Sequence, residues 1–187
     1  MTQPGALAGV VLAGGHGRRY GGPKAWARDP DGSLWLAGAV GALRRWCPAG
    51  VIVATRRGIG APRVGADAVV FDDLADVGPL GGVLAGLDAA HRRHARRVLL
   101  LPVDLVQDAA LAVTLGRLAG HPATLAVGAS DCGGHRHHLL CRVAVEPTRA
   151  IIAARLARGR RAVRPVHERL GTVWLGSMPL VDRNLPG

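Results

Sequence analysis

The apolar positions of this 187-residue chain fall into short runs separated by glycine, proline and charged clusters. Residues 7–12 are continuously apolar and too few for a helix, so they read as a buried strand. Leu34, Leu36, Val40 and Leu43 then recur at mixed helical spacing up to Trp46, and Pro48 stops that helix. The β-branched residues 51–55 predict a second strand, residues 56–65 a loop punctuated by glycine and proline, and residues 68–71 a third strand. Gly78-Pro79-Leu80-Gly81-Gly82 opens a helix that carries Leu84 and Leu87 and runs into the basic stretch His91 to Arg97. Residues 98–101 form the most apolar strand, a pattern suited to the centre of a parallel sheet. Beyond it the pattern predicts a helix over about 108–119 and a strand over 123–127. A polar glycine-histidine loop over 130–138, a strand over 139–143, a helix over 150–157 and a last strand over 172–175 follow. Residues 163–170 fit no single element.

Strands alternating with helices imply an α/β fold: one three-layer α/β/α sandwich around a mostly parallel, Rossmann-like sheet, with residues 1–187 as a single domain. In such sheets ligands sit beyond the carboxyl ends of the strands. The segments 12–24 and 72–82 and the residue Asp104 all follow predicted strands, so they are expected to converge on one edge.

Composition narrows the class. No apolar run approaches the ~20 residues that span a bilayer, and the first residues lack the basic region of a signal peptide. Three cysteines without a CxxC pair, Cys47, Cys132 and Cys141, fit a reduced cytoplasmic setting better than a disulfide scaffold. A net charge of +11 favours polyanionic partners. Aromatic residues make up only 3%, too few for single-strand stacking platforms. A phosphate-rich small substrate accounts for the charge, and neither nucleic acid nor membrane is the expected partner.

The densest chemistry lies in Leu12-Ala13-Gly14-Gly15-His16-Gly17-Arg18-Arg19-Tyr20-Gly21-Gly22-Pro23-Lys24. A strand feeding a glycine-rich basic loop lets anions approach main-chain N–H groups. It is not a Rossmann fingerprint, because Tyr20 takes the sixth position counted from Gly15, and not a P-loop, because Pro23 follows Gly22 and Ala25 follows Lys24. Lys24 is the only lysine among 24 basic side chains, the remainder being arginine, as if a compact ammonium were needed there. Asp104, at the end of the most buried strand, is placed to hold Mg²⁺, which binds through one or two carboxylates together with phosphate oxygens and water. Cys132, His135, His137 and His138 follow no structural zinc spacing and read as a substrate loop.

These blocks resemble the molybdenum-cofactor guanylyltransferase (MobA-like) nucleotidyltransferases. The first matches the pattern Leu-Ala-Gly-Gly-x-small-x-Arg-aromatic/Met-Gly-x-Asp/Pro-Lys through Gly14, Gly15, Gly17, Arg19, Gly21 and Lys24. Asp72-Asp73-Leu74-Ala75-Asp76-Val77-Gly78-Pro79-Leu80-Gly81-Gly82 is similar to the acidic stretch entering Gly-Pro-Leu-Ala/Gly-Gly, and Leu101-Pro102-Val103-Asp104 to the Pro-Cys-Asp metal block. Asp182-Arg183-Asn184-Leu185-Pro186 is a weak match to Asn-x-Asn-Thr-Pro, and the family's asparagine after the second strand is here Ala54 or Thr55. The resemblance implies a sheet of the nucleotide-diphospho-sugar transferase (GT-A-like) type. It marks Leu12, Ala13, Gly14, Gly15, Gly17, Lys24, Asp72, Gly78 and Asp104 as nucleotide-binding, with Asp72 selecting guanine. It marks Lys24, Arg19 and Asp104 as catalytic and Asp104 as the ligand of Mg²⁺. The implied reaction joins GMP from GTP to the phosphate of molybdopterin and releases pyrophosphate, with molybdoenzyme maturation proteins as candidate protein partners. A related transferase using CTP or another nucleotide, and a non-catalytic nucleotide-binding partner, are the alternatives.

Overall fold

The computed structural model describes residues 6–17, 21–74, 77–181 and 183. Arg18, Arg19, Tyr20, Ala75, Asp76, Asp182 and the tail from Asn184 lie outside the described residues. Seven strands form one sheet in the order β3-β2-β1-β4-β6-β5-β7. They are β1 (Leu7–Leu12), β2 (Val51–Arg56), β3 (Ala68–Asp72), β4 (Arg97–Pro102), β5 (Ala126–Asp131), β6 (Arg136–Ala144) and β7 (Val173–Met178). The first four pair in parallel. β6 is inserted antiparallel between β4 and β5, and β7 closes the sheet parallel to β5.

Helices cover both faces. Apolar residues of α1 (Trp35–Arg44) and α3 (Ala109–Gly120) pack with Val11, Val53, Leu99 and Leu101 on one side. Those of α2 (Pro79–Arg92), α4 (Val145–Leu156) and α5 (Arg164–Leu170) pack with Val10, Ile52, Val98 and Leu100 on the other. β4 is the middle strand of the seven, and Val98 to Leu101 are all buried, so their unbroken apolar run faces a helical layer on each side.

Helix starts follow local chemistry. Asp108 caps α3 by accepting the Leu111 N–H at 2.8 Å. Pro79 opens α2, where its missing N–H is not needed.

The second half departs from the sequence-based reading. The strand expected over 123–127 lies at Ala126–Asp131, and the loop expected over 130–138 shrinks to a tight hairpin. Asp131 accounts for the shrinkage: its Oδ1 accepts the N–H groups of Gly133 and His135, each at 2.9 Å, which frees Arg136, His137 and His138 to join β6. α4 begins at Val145 rather than at residue 150, because Pro147 falls in the first turn, where backbone N–H groups have no intrahelical partner. Residues 164–170 are helical, with Pro165 in the first turn.

Candidate active site

Three backbone bonds hold the described ends of the glycine loop, two of them long-range. The Ala13 N–H donates to Ala54 O at 2.8 Å, the Val103 N–H to Leu12 O at 3.2 Å and the Lys24 N–H to Gly15 O at 3.1 Å. The last of these closes the loop on itself. Gly17 is required at its bend: φ is +56°, and a Cβ there would sit 1.9 Å from the Gly22 carbonyl oxygen. Beyond the bend, a 3₁₀ turn at Lys24–Trp26 anchors the chain through fully buried Ala25.

That anchoring lays the Lys24 side chain along Gly15 and brings its Nζ to 2.5 Å from Asp104 Oδ2. The only lysine and the strand-end aspartate, 80 residues apart in sequence, therefore meet as a mostly buried ion pair. Asp104 follows β4 and Lys24 follows β1, neighbours in the sheet, so the pairing Leu12↔Pro102 sets the two side by side.

Asp72 ends β3 on the same edge and is only 9% exposed. Its Oδ1 accepts the Leu74 N–H at 3.0 Å. Burial raises its pKa, while the Leu74 N–H and the nearby Arg56 charge pull the other way. The carboxylate presses on the first turn of α2. A Cβ on Gly81 would lie 2.2 Å from both carboxylate oxygens, so only glycine leaves Asp72 in this position.

Leu12, Gly14, Gly15, Lys24, Asp72, Gly78 and Asp104 all line one cavity of about 290 Å³ at the carboxyl edge of the parallel strands. The convergence expected from strand order is thus observed. Two expected residues do not face the cavity: Ala13 is fully buried, and Gly17 shapes the loop instead. Arg19 lies outside the described residues.

The sequence-based reading overlooked His16 and Arg56, which also line the cavity. Arg56 could have been found from its position, since it ends β2 on the edge already singled out. At the family's asparagine position, Ala54 is apolar, and Thr55 is buried with its hydroxyl donating to Gly60 O at 3.0 Å. Neither offers an amide to a ligand.

Among the described residues no three His, Cys, Asp or Glu side chains are placed to hold one metal ion. The histidine-rich segment is spread accordingly: Cys132 and His135 are exposed, His137 Nε2 lies 3.5 Å from Asp131 Oδ2, and His138 packs on His167 and Trp174. Asp104 presents a single carboxylate to the cavity, with Oδ2 on the Lys24 ammonium, and a lone carboxylate is what an Mg²⁺ completed by phosphate oxygens and water would take. The basic stretch at the end of α2 leads into Arg97, at the opposite end of β4 from Asp104, and His91 there pairs with Glu146 at 2.5 Å. No helix among the described residues is long and apolar enough to cross a membrane.

Known proteins share both the sequence pattern and the fold of this chain. The profile of the MobA-like NTP transferase domain matches residues 9–173. The chain is 35% identical to the molybdenum cofactor guanylyltransferase of Rhodopseudomonas palustris strain BisB5 over 164 residues, 82% of this chain and 76% of the relative. Other curated relatives of that description are matched over 65% of their own length. Among solved structures, molybdopterin-guanine dinucleotide biosynthesis protein A from Archaeoglobus fulgidus superposes with a TM-score of 0.67 at 21% identity, covering 90% of this chain and 83% of that one. The 2-C-methyl-D-erythritol 4-phosphate cytidylyltransferase of Thermus thermophilus superposes nearly as well, with a TM-score of 0.66 at 19% identity over 95% and 93% of the two chains. The fold is therefore shared by a protein named for guanine dinucleotide biosynthesis and one named as a cytidylyltransferase. From the matched span and the identity, the chain belongs to the MobA-like NTP transferase family, and its domain is a nucleotidyltransferase.

Proposed function

We propose that this chain transfers GMP from GTP to the terminal phosphate of molybdopterin, giving the guanine dinucleotide form of the cofactor and pyrophosphate. The observation that carries the reading is the meeting of Lys24 and Asp104 in the cavity that Asp72 and the glycine loop also line. Relatives named for this activity support the choice of guanine and of the acceptor.

An oxygen of the acceptor phosphate attacks the α-phosphorus of GTP, a new P–O bond forms, and the bond to the β-phosphate bridging oxygen breaks. The attacking group is already anionic, so no strong general base is called for. Glycine-loop N–H groups and the Lys24 ammonium hold the phosphates and stabilise charge on the leaving pyrophosphate. Asp72, held by the Leu74 N–H, presents its carboxylate to the N–H groups of the base. Asp104 is the residue that would hold Mg²⁺, and the bound ion supplies neutralisation of phosphate charge in the transition state. Most of the rate then comes from holding donor and acceptor in line.

The test is calorimetric titration of the chain with GTP, CTP, ATP and UTP, with and without Mg²⁺, followed by pyrophosphate release in the presence of molybdopterin. Mg²⁺-dependent, GTP-selective binding with pyrophosphate release is expected. Selectivity for CTP would move the activity to cytidylyl transfer on the same fold.

A further inference from the structure

Two arginines stand side by side at the end of β2 and have different fates. Arg57 is exposed and makes a two-pronged contact with Asp73, Nε to Oδ1 and Nη2 to Oδ2, both at 2.9 Å. Arg56 turns into the cavity. Its stem runs along the glycine loop, with Cγ 3.5 Å from where a Cβ on Gly14 would be, and its Nη1 lies 2.8 Å from Nε2 of His16 in the same loop. Among the described residues no carboxylate lies within ion-pair distance of it. Asp72 feels Arg56 only as a neighbouring charge and makes no hydrogen bond to it. The guanidinium head therefore makes its hydrogen bond on the glycine-loop side of the cavity and reaches the Asp72 carboxylate only through its charge.

We infer that Arg56 is a direct ligand of the nucleotide's phosphate chain, and that His16 holds its head in place over the glycine loop until the phosphates arrive. A guanidinium carries five N–H donors in a planar fork that matches two phosphate oxygens at once, and the His16 contact occupies one of them. Lys24 offers a compact point charge on the Asp104 side of the same loop, so the two cations flank the cradle with complementary geometries. The chain uses arginine at all but one basic position, yet this arginine faces a cavity with no carboxylate partner among the described residues.

This inference rests on the reading of the cavity as a nucleoside triphosphate site. Its test uses inorganic tripolyphosphate, which has no base, beside guanosine, which has no phosphate. Both are titrated in Mg²⁺ into the wild type, Arg56→Ala, Arg56→Gln and, as a control of equal charge change, Arg57→Ala. Arg56→Gln keeps most of the stem, so it reports even if Arg56→Ala folds poorly. Tripolyphosphate affinity is expected to fall about tenfold or more in both Arg56 variants and to stay within about twofold in Arg57→Ala, with guanosine affinity unchanged throughout. Equal tripolyphosphate affinity in the wild type and the Arg56 variants, an equal loss in Arg57→Ala, or a wild type that does not bind tripolyphosphate overturns the inference. Loss of guanosine binding in the Arg56 variants also overturns it and moves Arg56 to the base side through Asp72. A wild type that binds tripolyphosphate but shows no preference for GTP overturns the guanylyl reading alone.

Discussion

The half of the sheet built from β1 to β4 and the half built from β5 to β7 use their most buried charged side chains differently. In the first, the strands run parallel, so their carboxyl ends deliver Leu12, Arg56, Asp72 and Pro102 to one edge, and the buried Asp72 faces a cavity. In the second, side-chain nitrogens of the buried Arg142, Arg155 and His167 bond to main chain. Arg142 is 1% exposed, and its guanidinium donates to the carbonyl oxygens of Ala119, at 3.2 Å, and Ala123. Buried Arg155 donates to Ala162 O, and His167 donates from Nε2 to His138 O at 2.7 Å. Among the described residues only Leu139 from this half lines the active-site cavity. A buried charge is thus no guide to a site until its partners are known: Arg142 is paired with main-chain carbonyls, and Asp72 lines a cavity.

The sharpest way to break this comparison is Asp104→Ala. It should leave the fold intact and lower turnover about a thousandfold or more, the scale of a lost metal ligand in phosphoryl transfer, read as pyrophosphate release. Near-wild-type turnover in Mg²⁺ would remove the chemistry from the parallel half. Arg142→Ala is the counterpart in the other half. It should cost about 2–4 kcal/mol of stability by removing two hydrogen bonds to main-chain carbonyls and leaving a void where the buried side chain was, seen in denaturant unfolding, with nucleotide affinity of the folded protein unchanged. Weakened binding without lost stability would mean that the second half takes part in the site.

The smallest effect is expected from Asp72→Asn. Because burial raises the Asp72 pKa in the folded state, its contribution favours folding at pH values below the unfolded-state value and is lost as pH rises through the folded value. Replacing it by a neutral amide should therefore leave stability at neutral pH unchanged or slightly higher, while the preference for GTP over other nucleotides falls about tenfold. A stability loss at neutral pH, measured by thermal unfolding across pH, would show that Asp72 is a structural carboxylate like the buried groups of the other half.

The two halves also differed in how far they could be read from the chain. Local periodicity marks β1, β2, β3 and β4 because each is a short apolar run bounded by glycine, proline or charge; β1, β2 and β4 are parallel strands buried on both faces, which leaves that signature, while β3 is an edge strand with Val69 and Phe71 exposed. β5 and β6 are obscured because their register breaks between Gly128 and Ala129 and because polar Ser130, Asp131, Arg136 and His137 belong to strand ends held by a hairpin. The hairpin itself is local, since Asp131 builds it by accepting the N–H groups of residues two and four positions on, but the polar residues around it hide the strands that it joins.

What the sequence determined by itself was the glycine-rich turn after the first strand, the lone lysine at its end, the strand-end aspartates and the α/β alternation that sends them to a common edge. All are properties of neighbouring residues, governed by backbone sterics and by the period of apolar burial. Only the tertiary structure decided that Lys24 lies against Asp104, that Gly81 makes room for the Asp72 carboxylate, that Thr55 spends its hydroxyl on Gly60, and that Arg56 reaches His16 while Arg57 is held by Asp73. Apart from the local Thr55 contact, these pairs join residues from 9 to 80 positions apart, and their meeting depends on strand order and register, which follow from packing the whole sheet and not from any segment of it.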